Sequence, residues 1–372
     1  MSSIKSRSPI LDIIRIWAFC AVIGVHFFLN TSFYSTTIQY PIHFLMIITR
    51  TACMVCVPFF MLLTGYLMNK KTLNKKYYIG IIKTIGIYVL ASFLCYINSI
   101  IFLNDDFDFL TFIIKLLSFN AAEYAWYIEM YIGLFLIIPF LNTIYNSSNS
   151  QKQKKVLILT FIVLTAIPSV SNFFDISFIL PFLSNIPSNH STIVPDWWTR
   201  IYPITYYFIG AYIKEFATKI SSIKAFVVFI CTLIFTSAYC FYRSQNQNFS
   251  TGQLQEWGAL PVVVLSVSLF IAINNIKLDK VPIKLGKILT YISNLTLCAY
   301  LVSEIFDKLI YNVLTDYIES SEEQFKYYLP CVFIIICLSL LTSSVINFIY
   351  QSIGEIIVKV LNKNNEKKLS GK

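Results

Sequence analysis

The chain has 372 residues, of which 56% are hydrophobic and only 13% are charged, and its formal net charge is +10. Its mean hydropathy of +0.67 excludes an ordinary soluble domain, because runs of about 20 apolar residues, each long enough to span a bilayer, recur almost from end to end. We therefore expect an all-α polytopic integral membrane protein. We attribute the positive charge to orientation in the membrane and to anionic lipid headgroups, not to nucleic acid.

Ten apolar segments predict about ten transmembrane helices. Their ranges are 9–30, 42–68, 77–103, 123–145, 155–173, 198–217, 222–242, 257–275, 285–306 and 327–358. The segment 108–118 is too short to cross and predicts a re-entrant or interfacial helix. Because the sequence has no visible internal repeat or appended soluble domain, we expect one membrane-embedded domain over residues 1–372, with short tails at about 1–8 and 359–372.

The distribution of basic residues predicts the orientation in the membrane. With the N-terminus inside, 21 of the 29 lysines and arginines fall in cytoplasmic segments and five fall in outer segments. The outer segments are acidic instead, as in "NDDFDF" and "ESSEE". Because lysine and arginine are retained on the cytoplasmic side of a membrane, this pattern predicts that both termini are cytoplasmic.

The nine cysteines all lie in apolar runs, and their number is odd. We expect them to be small buried side chains and not a disulfide framework. Cys53 and Cys56 form a C-x-x-C pair, but neither a second pair nor a histidine cluster accompanies it. We therefore predict no metal site.

The first predicted helix, "LDIIRIWAFCAVIGVHFFLN" at 11–30, contains Asp12, Arg15 and His26. Arg15 and His26 are eleven residues apart, so they share one helix face at a separation of about 16 Å. Arg15 could instead reach the inner headgroups with Asp12 as its partner, and His26 could be a hydrogen-bonded packing residue. Together they fit a long anionic molecule, with phosphates at Arg15 and a reactive end at His26.

Further polar residues are predicted near the depth of His26. They are Glu129 in the fourth span, Glu304 in the ninth and Arg50 in the second. Because an unpaired carboxylate at this depth is costly, we expect Glu129 to orient His26 or raise its basicity, with a structural pair to Arg50 as the alternative. Glu304 could occupy an exposed interfacial position. Spacing alone predicts a polar pocket that serves a transporter or an enzyme.

Three stretches are similar to the motifs of a known family. They are "RIWAFCAVIGVH" at 15–26, an R-x10-H pattern; "VPFFMLLTGYLM" at 57–68, with Thr64 where serine is usual; and "AWYIEMYIGLFLIIPFLN" at 125–142. With these motifs in this order, the chain resembles acyltransferase family 3, the ten-helix membrane acyltransferases that decorate bacterial surface glycans. The resemblance covers nearly the whole chain and implies a member without an extracellular hydrolase-like domain.

The resemblance implies acetyl-coenzyme A, taken from the cytoplasm, as the acyl donor. Its phosphates would lie near Arg15 and the inner lysines, and its pantetheine arm would run toward His26. Asp12, just before Arg15, is also expected in the donor-binding site. The family often has an Arg-x-Arg pair after the second span, where this chain has Lys75, Lys76 and, further on, Lys83. Lysine can still meet a phosphate, although it loses the bidentate geometry of arginine. No metal is implied.

The resemblance also implies an acceptor, a sugar hydroxyl of a surface or exported polysaccharide or of its lipid-linked precursor. His26 would deprotonate that hydroxyl or carry the acetyl group transiently, with Glu129 as its partner. Arg50, Trp126, Tyr127 and Glu304 are the expected substrate-binding residues. The expected location is the inner membrane of a bacterium, with membrane lipids as partners.

The chain departs from the family pattern at one further position, and the sequence leaves one alternative function open. Ser303 stands where the family often has a histidine near the ninth span, so no catalytic role is assigned there. The alternative is a secondary transporter with His26, Arg50 and Glu129 as an ion relay. Against a transporter, no pair of glycine- or proline-broken helices recurs in the two halves of the sequence.

Overall fold

The computed structural model describes residues 8–103, 108–148, 150–171, 194–217, 220–276 and 281–370. Within these ranges the chain is helical, and its only extended pairings are the isolated bridges Thr37–Asn248 and Ile38–Gln245. The predicted all-α fold is confirmed. The basic residues Lys5, Arg7, Lys219, Lys277, Lys280 and Lys372, which contribute to the predicted orientation, lie outside the described residues.

The helices are numbered here in chain order. They are α1 Pro9–Leu29, α2 Pro41–Cys53, α3 Cys56–Met68, α4 Lys75–Ile79, α5 Ile82–Leu103, α6 Phe109–Leu117, α7 Trp126–Ser147, α8 Gln151–Thr165, α9 Pro168–Ser171, α10 Tyr202–Phe216, α11 Ser222–Arg243, α12 Leu260–Asn274, α13 Ile283–Tyr317, α14 Ser321–Phe325 and α15 Tyr328–Ser370. Short 3-10 turns cover Ser32–Ser35, Glu123–Ala125, Thr199–Ile201 and Gly252–Gln255.

Eight helical segments of the described chain are long and apolar enough to cross a membrane. They are Pro9–Leu29, Pro41–Met68, Lys75–Phe102, Glu123–Ser147, Gln151–Ser171, Ser222–Arg243, Ile283–Tyr317 and Tyr328–Glu355. The other two predicted spans, 198–217 and 257–275, correspond to α10 and α12, which have 15 residues each. Each is about 22 Å long, shorter than the apolar core of a bilayer. The protein is therefore a multi-pass membrane protein in which two helices are shorter than predicted.

Helix α1 lies at the centre of the bundle, where it contacts α2, α3, α12, α13 and α15. The polar residues of α1 contact α13 in the same order along both helices. These contacts are Asp12 with Thr290, Arg15 with Ser293 and His26 with Asp307. The two helices therefore run parallel. Both ends of the polar face predicted on α1 lie against α13.

Two prolines shape the helices around α1. Pro58 has no N–H to donate to the carbonyl of Met54. The helix is interrupted at this point, so that α2 and α3 are two segments of one span. Pro139 likewise frees the carbonyl of Phe135, and the Tyr77 hydroxyl donates to that carbonyl at 2.6 Å. The Tyr77 ring also stacks on Phe135, with 4.4 Å between centroids. These contacts fix the short helix α4 against α7.

Helices α3 and α10 cross at two glycines. A Cβ atom on Gly65 would lie 2.0 Å from the backbone oxygen of Tyr207, and one on Gly210 would lie 2.0 Å from that of Leu62. Any side chain would therefore push the two backbones apart, as at other close crossings of small residues in membrane proteins. This crossing holds the Thr64–Gly65 segment of α3 beside α1.

Candidate active site

The His26 ring is paired with a carboxylate near the predicted outer end of α1. Its Nδ1 atom lies 2.8 Å from Oδ2 of Asp307, and the side chains are only 8% and 0% exposed. An ionised carboxylate can only accept, so Asp307 favours the tautomer in which Nδ1 carries the proton and Nε2 has a free lone pair. The Tyr124 hydroxyl donates to the same Oδ2 atom at 2.8 Å.

Neighbouring side chains fix the position of the imidazole. The Tyr124 ring lies against it with 4.0 Å between centroids, and the Tyr300 ring lies 6.4 Å away. Asn30 donates to the His26 carbonyl at 2.8 Å, and the Tyr300 hydroxyl donates to the carbonyl of Tyr124. The arrangement leaves Nε2 as the nitrogen available to a reacting molecule.

Arg15 lies toward the opposite end of α1 and remains partly accessible. Its side chain is 24% exposed, and its Nη1 atom donates to Ser293 Oγ at 3.0 Å. Asp12 is 3.9 Å from the same Nη1 atom, and Thr290 donates to Asp12 at 2.8 Å. The predicted proximity of Asp12 and Arg15 is therefore present, and α13 supplies the partners that orient both side chains.

A narrow cavity of about 200 Å³, the inner cavity, extends along α1 from Arg15 to Val22. Val22 is one helical turn before His26. The other residues that line it are Val57, Phe60, Leu63, Thr64, Leu67, Met68, Thr84, Tyr127, Tyr131, Thr296, Leu297 and Tyr300. Apart from Arg15, the polar groups among them are threonine and tyrosine hydroxyls. The lining of the cavity suits a mostly apolar chain with an anionic end at Arg15.

A second cavity of about 610 Å³, the outer cavity, lies further along α1 toward its C-terminal end. Helix α1 contributes Val25 and Leu29 to it. The remaining lining residues are Arg50, Met54, Thr165, Pro168, Ser169, Asp196, Thr199, Arg200, Tyr202, Thr251, Gln255, Glu256, Trp257, Gly258 and Ala259. Many of them precede α10 or α12, so the shortness of these two helices leaves room for the cavity. His26 therefore lies within one turn of the linings of both cavities.

The prediction that Glu129 contacts His26 is wrong. Glu129 is exposed, and the residue that pairs with His26 is Asp307. The reason is the rotation of α7, which directs Tyr127 and Tyr131, one turn apart, into the inner cavity. A residue midway between them points about 160–200° away from that face. The alternative pair of Glu129 with Arg50 is not formed either, because Arg50 bonds to other groups.

The three lysines predicted at the donor end are exposed. Lys75 and Lys76 lie on α4 and Lys83 on α5, and the inner cavity is lined by Thr84 instead. The structure places them at the surface and does not bring them into contact with Arg15.

The predicted substrate-binding residues occupy different places. Arg50 lines the outer cavity and Tyr127 the inner one. Trp126 stacks on Trp257 of the outer cavity, with 4.6 Å between ring centroids and 16° between planes. Glu304 lines neither cavity: it is buried, forms an ion pair with Lys308 at 2.8 Å, and accepts a hydrogen bond from a backbone N–H at 2.7 Å. The alternative of an exposed position for Glu304 is therefore wrong. The structure also does not bring Glu304 to either cavity, where the expected substrate-binding role would place it.

Asp307 was missed because the ninth span was predicted to end at residue 306. The helix continues to Tyr317, and Asp307, Tyr311 and Leu314 stay buried on one face. Their spacing of four and three residues is visible in the sequence and indicates that the helix and its buried face continue. A longer predicted helix would have placed a carboxylate at the depth of His26.

The chain was compared with protein families and with individual proteins. The family model of acyltransferase family 3, described as an acyltransferase domain, matches residues 9–347, nearly the whole chain. No curated protein and no solved structure shows significant similarity to it.

Proposed function

Since the chain belongs to acyltransferase family 3, we propose that this membrane acyltransferase moves an acetyl group from cytoplasmic acetyl-coenzyme A to a sugar hydroxyl. The acceptor is a surface or exported polysaccharide or its lipid-linked precursor, and the location is the cytoplasmic membrane of a bacterium. The observation that carries the proposal is the inner cavity, which connects Arg15 to the neighbourhood of the His26–Asp307 pair.

The chemistry of the inner cavity suits the donor. Arg15 is partly exposed at the predicted cytoplasmic end, where its planar guanidinium suits a phosphate of coenzyme A. From there the lining offers the pantetheine arm apolar contacts and a few hydroxyls. The rise of about 16 Å from Arg15 to His26 leaves the thioester beside the imidazole.

His26 then serves as the general base. Its Nε2 atom accepts the proton of the acceptor hydroxyl while the hydroxyl oxygen attacks the thioester carbonyl. A carbon–oxygen bond forms, the carbon–sulfur bond breaks, and the proton is passed from His26 to the departing sulfur. Asp307 stabilises the imidazolium that forms in between. The same geometry also permits Nε2 to take up the acetyl group first and then transfer it to the acceptor.

The acceptor approaches from the outer cavity. Its volume of about 610 Å³ is within the ordinary range for ligand sites, and Trp257, stacked on Trp126, gives one wall a flat aromatic surface. The inner cavity meets α1 at Arg15 and Val22 and the outer cavity meets it at Val25 and Leu29. At about 100° per residue these side chains lie on nearly one face of the helix, so the two substrates approach His26 from opposite ends of that face.

Acetate on the cell surface tests the proposal. Surface polysaccharide is isolated from cells with the gene and from a deletion strain, and alkali-labile acetate is measured. We expect the deletion to lose the ester, the wild-type gene to restore it, and His26→Ala at equal membrane abundance to fail. Equal ester content in wild type and deletion would contradict the proposed acceptor.

A further inference from the structure

Arg50 is a buried cation that faces the outer cavity. Its relative exposure is 5%, and it lines the cavity together with Gln255. Its Nε atom donates to the Tyr34 hydroxyl at 2.6 Å, and its Nη1 atom donates to the Gln255 side-chain carbonyl. Among the residues that the structure describes, no carboxylate forms an ion pair with it.

Within the described part of the chain, the hydrogen-bonding capacity of Arg50 is only partly used. A guanidinium has five N–H groups, and the contacts to Tyr34 and Gln255 use two of them. The rings of Tyr34 and Phe249 lie 5.6 and 5.2 Å from its central carbon and stabilise the charge further. Neutral partners do not balance a buried charge, and such a charge in a membrane protein indicates a functional site by default.

The guanidinium is also held in one orientation before any ligand arrives. Gln255, which accepts its hydrogen bond, donates through its own amide nitrogen to the Thr51 hydroxyl at 2.8 Å. Both residues are buried. A preoriented arginine can meet the two oxygens of a carboxylate or phosphate with parallel hydrogen bonds.

We propose that the outer cavity selects an acceptor that carries an anionic group, and that Arg50 binds this group. The inference rests on the proposed function and adds the chemical class of its substrate: an acidic sugar, or a sugar joined to a lipid through a diphosphate. The cavity also contains Arg200, Asp196 and Glu256, but these are exposed. Arg50 is therefore the charge that acts deep in the cavity, where screening by water is weakest.

Equilibrium binding without acetyl donor tests the proposal on the full-length protein in lipid nanodiscs. One pair of probes is a glucuronate-terminated disaccharide and its glucose-terminated counterpart; the other is farnesyl diphosphate and farnesol. We expect the anionic member of at least one pair to bind at least tenfold tighter, a difference of about 1.4 kcal/mol or more. The pair that shows the difference identifies the source of the anion.

Variants assign that preference to one residue. Arg50→Gln is expected to abolish it and Arg50→Lys to weaken it. Arg200→Gln, which removes an exposed arginine from the same cavity, is the matched control and should retain it. Gln255→Glu gives Arg50 a carboxylate partner of the same size and should abolish the preference without unpairing the guanidinium, which covers the case in which Arg50→Gln does not fold.

Two results would overturn the anionic subsite. One is wild-type binding that does not distinguish charged from neutral probes in either pair. The other is a preference that persists in folded Arg50→Gln or Gln255→Glu. Because no acetyl donor is present, both results are independent of whether the protein transfers acetyl groups.

Discussion

Asp307 accepts a hydrogen bond from His26 at 2.8 Å across the parallel helices α1 and α13. Toward the other end of the same helix pair, Arg15 donates to Ser293 at 3.0 Å. Eleven residues of α1 and fourteen of α13 separate the two contacts. One helix pair therefore orients both the base and the cation of the proposed reaction, with the inner cavity beside it.

Replacement of Asp307 by asparagine should reduce acyl transfer strongly. The amide keeps the size of the carboxylate but can donate to Nδ1, which favours the tautomer with the proton on Nε2. In serine proteases the corresponding change lowers kcat by about 10⁴, and we expect a loss of about 10²–10⁴ here. Turnover and donor binding are measured separately in nanodiscs, and binding should change little.

The matched control for Asp307→Asn is Glu129→Gln, the same chemical change at an exposed position of α7. Turnover of Glu129→Gln should stay close to that of the wild type. Normal activity of Asp307→Asn, or an equal loss in both variants, would exclude a special role for the His26–Asp307 pair.

Replacement of Arg15 by alanine and replacement of His26 by alanine should impair acyl transfer in different ways. Arg15→Ala removes a charge-assisted contact of about 1.5–3 kcal/mol, so it should raise the KM for acetyl-coenzyme A and be partly rescued at high donor concentration. His26→Ala removes the base, so donor should still bind while transfer stops at every concentration. Arg15→Lys should lie between them.

Kinetics over a wide range of donor concentration distinguish these outcomes. Near-normal turnover of His26→Ala would contradict its catalytic role. If Arg15→Ala lowered kcat alone and left the KM unchanged, its proposed contact with the donor would be wrong.

The sequence predicts the face of α1 correctly but not the partners of that face. Helical periodicity is enough to place Arg15 and His26 on one side of a single helix. The pairing of His26 depends on how α7 and α13 are rotated about their own axes, which packing decides. Both helices are mostly apolar, so the sequence leaves several rotations open, and Glu129 was assigned a partner by depth alone.

The sequence also does not predict the surroundings of the histidines outside α1. In the sequence His43 lies beside a predicted outer loop, which favours a solvated side chain. It is fully buried instead, and its Nδ1 atom accepts two backbone hydrogen bonds at 3.0 Å. Its partner Glu322 lies 279 positions away, beyond the reach of local patterns. His190, in the predicted outer loop before the sixth span, lies outside the described residues.

Gly65→Ala should destabilise the fold. A Cβ atom there would lie 2.0 Å from the backbone of Tyr207, and a backbone oxygen cannot move aside as a flexible side chain can. We expect a loss of about 1–3 kcal/mol or more, visible as a lower apparent melting temperature in detergent. Gly133→Ala on α7 is the control, because a Cβ at Gly133 meets nothing within 4 Å.

The control should be neutral or slightly stabilising, because alanine favours a helix over glycine by up to about 1 kcal/mol. Equal melting temperatures for the two alanine variants would mean that the α3–α10 crossing is looser than the structure has it.

Stability should depend on pH through Glu322, which lies outside the membrane-spanning segments. Burial acts to raise its pKa, but hydrogen bonds from Ser320 and His43 lower the pKa overall below the usual 4.5. A carboxyl whose pKa is lowered by folding stabilises the fold above its unfolded pKa, and that stabilisation is lost as the pH falls through the folded pKa. The wild type should therefore lose stability from about pH 5 downward.

Apparent melting temperatures between about pH 7 and 3 check this dependence. Glu322→Gln should show a smaller decrease across this range, whereas Glu319→Gln, at an exposed neighbouring position, should follow the wild type. If Glu322→Gln and the wild type lose stability in parallel, the hydrogen bond between His43 and Glu322 does not contribute to the acid sensitivity.

A side chain placed in the inner cavity should block the donor without touching the catalytic pair. Thr64 lines the cavity, and its hydroxyl donates to the carbonyl of Phe60, so Thr64→Phe should narrow the path from Arg15 to the imidazole. We expect transfer from acetyl-coenzyme A to fall sharply. Transfer from p-nitrophenyl acetate, a small ester able to enter through the outer cavity, should persist because it does not need the inner one.

The control is Thr160→Phe, at an exposed position on α8 where the threonine makes the same hydrogen bond to the preceding helical turn. Both donors should work normally in that variant. A Thr64→Phe protein that uses the two donors equally well would show that acetyl-coenzyme A does not pass through the inner cavity. Loss of activity with both donors would instead indicate that the substitution disturbs the fold around the His26–Asp307 pair. A lower melting temperature of Thr64→Phe than of Thr160→Phe would identify that case.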